Sequence, residues 1–174
     1  MKSIVSKVRG FTLIEILVVI GIIAILAAIV IIAINPAKQF AQARNTQRVS
    51  NVNTILNAIG QRLADNKGLF RTTTDVVCTA GMDIPATAVN QATAVDIASG
   101  GAVGTVDMRP CLVPIYIAEI PVDPSIGVPV PVGGGAYDTH YQVYKDSNGR
   151  VTILAPEAVN ETAIPGSPAV TVTR

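Results

Sequence analysis

The apolar positions of this chain fall into three regimes, and each predicts a different kind of element. From Ile16 to Ile34 there is no charged and no polar side chain, so a helix over this stretch has no polar face to turn toward water. Counted from Phe11, the segment to Ile34 reaches roughly 36 Å as a helix, enough for a hydrocarbon core of about 30 Å. After Asn35-Pro36 the pattern becomes a stripe. Val49, Val52, Leu56, Ile59 and Leu63 recur at spacings of three and four, which predicts a helix with one face on a core. Asn35 can cap that helix with Pro36 in its first position, or Pro36 can kink one continuous helix; the pattern leaves both open. Asn66-Lys67-Gly68 marks its end, with Gly68 suited to a left-handed cap.

In the third regime the chain is punctuated. Ten of the eleven prolines follow residue 84, with glycine runs at 100 and 133, a density that excludes long helices and predicts short strands and loops. The strand candidates are Val113 to Ile120, Thr139 to Lys145 and Val151 to Ala155, with Ala169 to Thr173 as a further edge strand. The second and third are joined by Asp146-Ser147-Asn148-Gly149, a turn-rich connection. Alternation in "HYQVYK" leaves one face apolar, as a sheet covering the helical stripe requires. Ala86 to Gly104, rich in small residues, reads as loop. The expected class is α+β: a long N-terminal helix, half membrane-type and half amphipathic, on a small antiparallel sheet. The expected divisions are 1–10, 11–35, 36–67 and 68–174.

Charge changes the picture at three places. Lys2, Lys7 and Arg9 precede the apolar run with no acid among them, which predicts that this end stays in the cytoplasm and the remainder lies outside. From Lys38 to Arg71 six bases face one acid, and from Asp75 onward ten acids face four bases; this asymmetry suggests complementary surfaces between copies. Lastly, Glu15 is an acid near the start of an apolar run, where a charge costs free energy and is a functional candidate by default. A cut after Gly10 would give Phe11 a new amino group, a cation that could meet Glu15 of a neighbouring copy. A cleaved secretory signal starts similarly, but its apolar core spans about 7 to 15 residues. The small-residue triplet Ala41-Gln42-Ala43 lies beyond Pro36 and Lys38, inside the amphipathic repeat.

Candidate chemistry is sparse. Cys78 and Cys111 lie in the part expected outside the membrane and can close one disulfide, preferred over free thiols in an oxidising compartment. His140 is the only histidine and has no nucleophile motif near it, so no enzyme and no cofactor are expected. No metal site is expected either; Asp123, Asp138, Asp146 and Asn148 are weak calcium candidates without the dense spacing of a calcium loop. Asn160-Glu161-Thr162 fits a glycosylation sequon, a triplet common by chance. Arg44 and Arg48 stand one turn apart, but without interleaved aromatics a solvated or subunit-facing surface is preferred over a nucleic-acid ligand.

Lys7-Val8-Arg9-Gly10-Phe11-Thr12-Leu13-Ile14-Glu15, followed by the uncharged run, resembles the prepilin leader and N-terminal helix of type IV pilins and of the pseudopilins of type II secretion. The resemblance covers residues 7 to 40. It implies that a prepilin peptidase cuts after Gly10 and methylates Phe11, and that Glu15 guides assembly. It also implies a protein held in the bacterial cytoplasmic membrane by lipid contacts before entering an extracellular or periplasmic filament, with an inner-membrane platform and ATPase as assembly partners. Beyond residue 40 the likeness is architectural, with Ile120-Pro121-Val122-Asp123-Pro124 similar to a segment of pseudopilin heads. Pro36, where the helix can unwind, falls about one turn later than is usual in the family. The implied function is a pilus-like filament subunit; a secretion pseudopilin and a membrane-tethered binding module that never polymerises are the alternatives.

Overall fold

The structure is a computed structural model that describes residues 10–79, 82–86, 88–100, 103–132 and 134–174. The N-terminal charges Lys2, Lys7 and Arg9 lie outside the described residues, as does the first glycine of the run at 133. The chain divides into two compact units, residues 1–39 and 40–174.

In the first unit, helix α1 (Leu13–Ala33) is apolar around its whole circumference. Leu13–Ile31 has a mean hydropathy of 3.2 and no part of it is buried within the chain, so by length and composition it can cross a membrane. It ends at Ile34, whose backbone is extended. Asn35 then accepts the Lys38 N–H on its side-chain oxygen at 3.2 Å, and α2 (Pro36–Asp65) opens with proline in its first position, where no intrahelical N–H is needed. Of the two readings of Asn35-Pro36, the structure takes the separate, capped helix.

The second unit holds the rest of α2 and a five-stranded sheet. The strands are β1 (Val95–Ala98), β2 (Thr105–Val106), β3 (Asp138–Lys145), β4 (Val151–Ala155) and β5 (Val170–Thr173). They are ordered β2-β1-β3-β4-β5, and the short helix α3 (Arg109–Leu112) lies between β2 and β3 in sequence. Three neighbouring pairs are antiparallel, while β1 and β2 run parallel, which makes the sheet mixed. Val52, Ile55, Leu56 and Ile59 of α2 share one core with Ile97, Tyr141, Val143 and Ile153 of the sheet. Val49, expected on this stripe, is 43% exposed. The true apolar face is rotated toward Ile55 and Ala58, and Leu63 packs at its margin. The helix stops as expected: Gly68 takes φ 89° and donates to Leu63 O at 2.7 Å.

Two strand expectations fail. Val113 to Ile120 is not a strand: Tyr116 and Ile117 donate back to Leu112 O, Pro114 has no N–H for a ladder, and Ile115 is exposed. Val95–Ala98, expected as loop, is an inner strand between β2 and β3.

Candidate functional site

The N-terminal site is built on the first turn of α1. Gly10 and Phe11 precede the helix and are exposed, Phe11 by 82%. Thr12 is the N-cap. Its side-chain oxygen accepts the Glu15 N–H at 3.3 Å, and its own N–H and hydroxyl both donate to Glu15 Oε2 at 2.9 Å. This is a reciprocal capping box. Sequence reasoning missed it, although Thr12-x-x-Glu15 ahead of an apolar run is the pattern that announces one. The box gives Glu15 a partner within its own chain. Among the described residues its second oxygen, Oε1, accepts no hydrogen bond, and a carboxylate has capacity for further donors.

The second site is an ionic clamp in the other unit, formed by side chains whose charge was expected to face solvent or a second copy. Arg48 is 1% exposed. Its Nε donates to Asp123 Oδ2 at 2.6 Å and its Nη2 to Asp123 Oδ1 at 3.1 Å, a two-pronged pair. The remaining donors reach Glu161 Oε1 at 2.6 Å, Asn45 Oδ1 at 2.7 Å and Ser125 Oγ at 2.8 Å. Arg44, at the rim, also grips Glu161 through two nitrogens. One turn beyond Arg48, Asn51 donates to Val122 O at 3.0 Å and to the Tyr141 hydroxyl at 2.9 Å. The clamp therefore ties α2 to the Ile120-Pro124 segment and to the stretch following the 3-10 turn Pro156–Asn160.

Electrostatics follow this geometry. Burial opposes ionisation of Asp123, but the bonds from Arg48 and Ser125 outweigh it and hold the carboxyl at about 2. Glu161 is brought to about 2, chiefly by Arg44 with a contribution from Arg48. At the other end of α2, Arg62 is 4% exposed. It donates to Phe70 O at 2.6 Å and Cys111 O at 2.8 Å, pairs with Asp75, and lies 5.4 Å from the centre of the Phe70 ring. Three of the six bases between Lys38 and Arg71, the arginines of α2, are thus answered by acids of their own chain. Arg48, buried and fully paired, has no donor left to offer a phosphate. No signal in the stripe alone distinguished them; Arg48 and Arg62 do, however, share its buried side, Arg48 four residues before Val52 and Arg62 three after Ile59.

The other sequence candidates separate. Cys78 and Cys111 form a disulfide with Cα atoms 4.7 Å apart. Asp146 Oδ1 accepts the N–H groups of Asn148 and Arg150, and Oδ2 accepts Arg150 Nε, so Asp146 and Asn148 organise the β3–β4 turn. Asp138 accepts the His140 N–H and lies 3.5 Å from His140 Nε2. Among the described residues no three His, Cys, Asp or Glu side chains form a group that could hold a metal, and Asp123 is committed to Arg48.

Neither the curated proteins nor the solved structures contain a match to this chain. Residues 5–31 match the prokaryotic N-terminal methylation motif, so the chain carries the prepilin-type cleavage and methylation motif of type IV pilins and pseudopilins.

Proposed function

We propose that this chain is a structural subunit of a type IV pilus-like filament. It is held in the cytoplasmic membrane by α1, cut between Gly10 and Phe11, methylated on the new amino terminus, and polymerised through the N-terminal helix. The observation that carries this reading is the methylation motif leading into an apolar helix with none of its surface buried in its own chain. Such a helix leaves lipid only when neighbouring helices replace the lipid contacts, so a filament of many copies is the natural destination and an assembly machinery the necessary partner. In this reading Glu15 sets the axial register, because an arriving subunit gains most at the offset where its carboxylate meets a Phe11 amino group.

Intact mass measurement of the protein from its native envelope tests the processing. The expected mass is that of a chain beginning at Phe11 with one added methyl group; a chain beginning at Met1, or beyond Ala43, overturns it. Electron microscopy of sheared surface material should then show filaments containing this chain. A second reading, a secretion pseudopilin, is favoured by Ile120-Pro121-Val122-Asp123-Pro124, which Arg48 and Asn51 pin to α2. Neighbouring genes for a secretin and its cargo, and none for a retraction ATPase, would select it.

A further inference from the structure

The two edges of the sheet are guarded differently. A strand at an edge presents unpaired N–H and C=O groups to any other extended chain, and proteins commonly blunt it with brevity, charge, proline or a bulge. β2, at one edge, consists of Thr105–Val106 alone. β5, at the other, reads Val-Thr-Val-Thr. It carries no charge and no proline, and its register with β4 runs without a bulge from Ala155 opposite Val170 to Thr152 opposite Thr173. Among the described residues it has no strand on its other side.

The alternation of ladder bonds fixes which groups are open. Val151 and Arg174 exchange both N–H···O bonds, at 2.8 and 3.0 Å, and in an antiparallel ladder such pairs alternate with pairs that exchange none. Val172 and Val170 therefore bond to β4, while the N–H and C=O groups of Thr171 and Thr173 point away from it. The 2.7 Å contact between the Thr152 and Thr173 hydroxyls agrees, since side chains come closest in the pairs that exchange no bonds. Thr171 and Thr173 are exposed, and Val170 and Val172 pack against the margin of the core.

We propose that the open edge of β5 pairs with β5 of a second copy of this chain, antiparallel about a dyad at Val172. With that centre, Thr171 of one copy faces Thr173 of the other on both sides of the dyad, and the groups that β4 leaves open satisfy one another. Two five-stranded sheets then join into one with both cores on the same side, where the two Val172 side chains meet. Val170–Thr173 carries no charge, so pairing identical strands sets no like charges face to face. A dyad turns the two heads in opposite directions along β5. The contact therefore cannot recur between neighbours that share one direction in a filament; it joins separate assemblies or unassembled chains, and it stands independently of the filament reading.

Both natural cysteines are bonded to each other, so Val172→Cys adds the only free thiol. Residues opposite each other without ladder bonds have Cα atoms about 4.5 Å apart, a separation that a disulfide spans. In the full chain held in detergent, mild oxidation should join two Val172→Cys chains at least tenfold faster than two Val159→Cys chains, whose site is exposed but off the edge. Thr171→Pro and Thr171→Lys, placed singly in the Val172→Cys chain, should each slow the joining at least tenfold with thermal unfolding unchanged, because the Thr171 N–H serves no bond within its own chain. Equal rates at the two cysteine sites overturn the inference, as does a Thr171→Pro or Thr171→Lys chain that stays folded and joins at the unaltered rate. A labelled peptide with the sequence of Ala169 to Arg174 that binds the chain while two chains fail to join also overturns it, and assigns the edge to a foreign strand.

Discussion

At Arg48 a guanidinium has given up nearly all contact with water, and every one of its nitrogens has a protein acceptor in return. Removing one partner of such a set leaves uncompensated buried charge, which costs about 3 to 5 kcal/mol, whereas an ion pair at the surface is worth about 1 kcal/mol or less. Arg48→Ala should therefore lower the unfolding free energy of the detergent-held chain by about 3 to 5 kcal/mol, and Arg44→Ala, at the half-exposed rim, by about 1 kcal/mol. Denaturant titration of the two variants checks the ratio; equal losses would show that burial does not apportion the clamp. The same residues predict an acid response. Asp123 and Glu161 fall from ordinary values of 3.8 and 4.5 to about 2 in the folded chain. Each therefore binds protons more readily unfolded than folded, and its contribution is complete above the ordinary value and lost as pH falls toward 2. The midpoint of thermal unfolding should be steady above pH 5 and fall between pH 5 and 2, and Arg48→Ala should flatten that slope.

At the scale of elements, the segments legible in the sequence were those whose pattern was long or whose ends were marked. The apolar run, the end of α2 at Gly68 and the hairpin around Asp146-Gly149 all carried several agreeing signals. Val95–Ala98 did not, because four residues bordered by small ones offer no periodicity although the strand is flanked on both sides. Val113 to Ile120 misled in the other direction: its apolar composition suited a strand, but Leu112 O draws the following amides into a turn, and Arg62 fixes Cys111 O beside it. The buried arginines were hidden because sequence gives the charge of a residue and not the acid that will meet it. The disulfide holds this same corner, closing a separation of 33 residues. On the chain-entropy argument that closure stabilises by about 3.5 kcal/mol. Replacing both cysteines by serine should lower the unfolding free energy by about that amount, and mapping of unreduced peptides from native material should recover Cys78 and Cys111 joined.

At the scale of the whole molecule, the filament reading assigns Glu15 two functions that call for different chemistry. Within one chain it closes the capping box with Thr12, and glutamine serves that purpose nearly as well as glutamate. Between chains it must meet an amino terminus, and only the carboxylate brings the opposite charge. Membrane insertion requires neither, since an apolar residue at this position would insert more readily. Glu15→Val and Glu15→Gln should therefore both integrate and be cut before Phe11. Valine packs almost equally well at several axial offsets, and glutamine keeps the cap without the charge, so both variants should give filament yields far below that of the unaltered chain. Yield measured by sedimentation of sheared material, alongside the mass of the processed chain, separates the cases. If Glu15→Gln assembles normally while Glu15→Val does not, closing the helix start is what assembly requires and the charge does not set the register. If either variant remains uncut, Glu15 belongs to recognition by the peptidase. Normal yield and unchanged subunit rise in both would leave the carboxylate without a role in assembly.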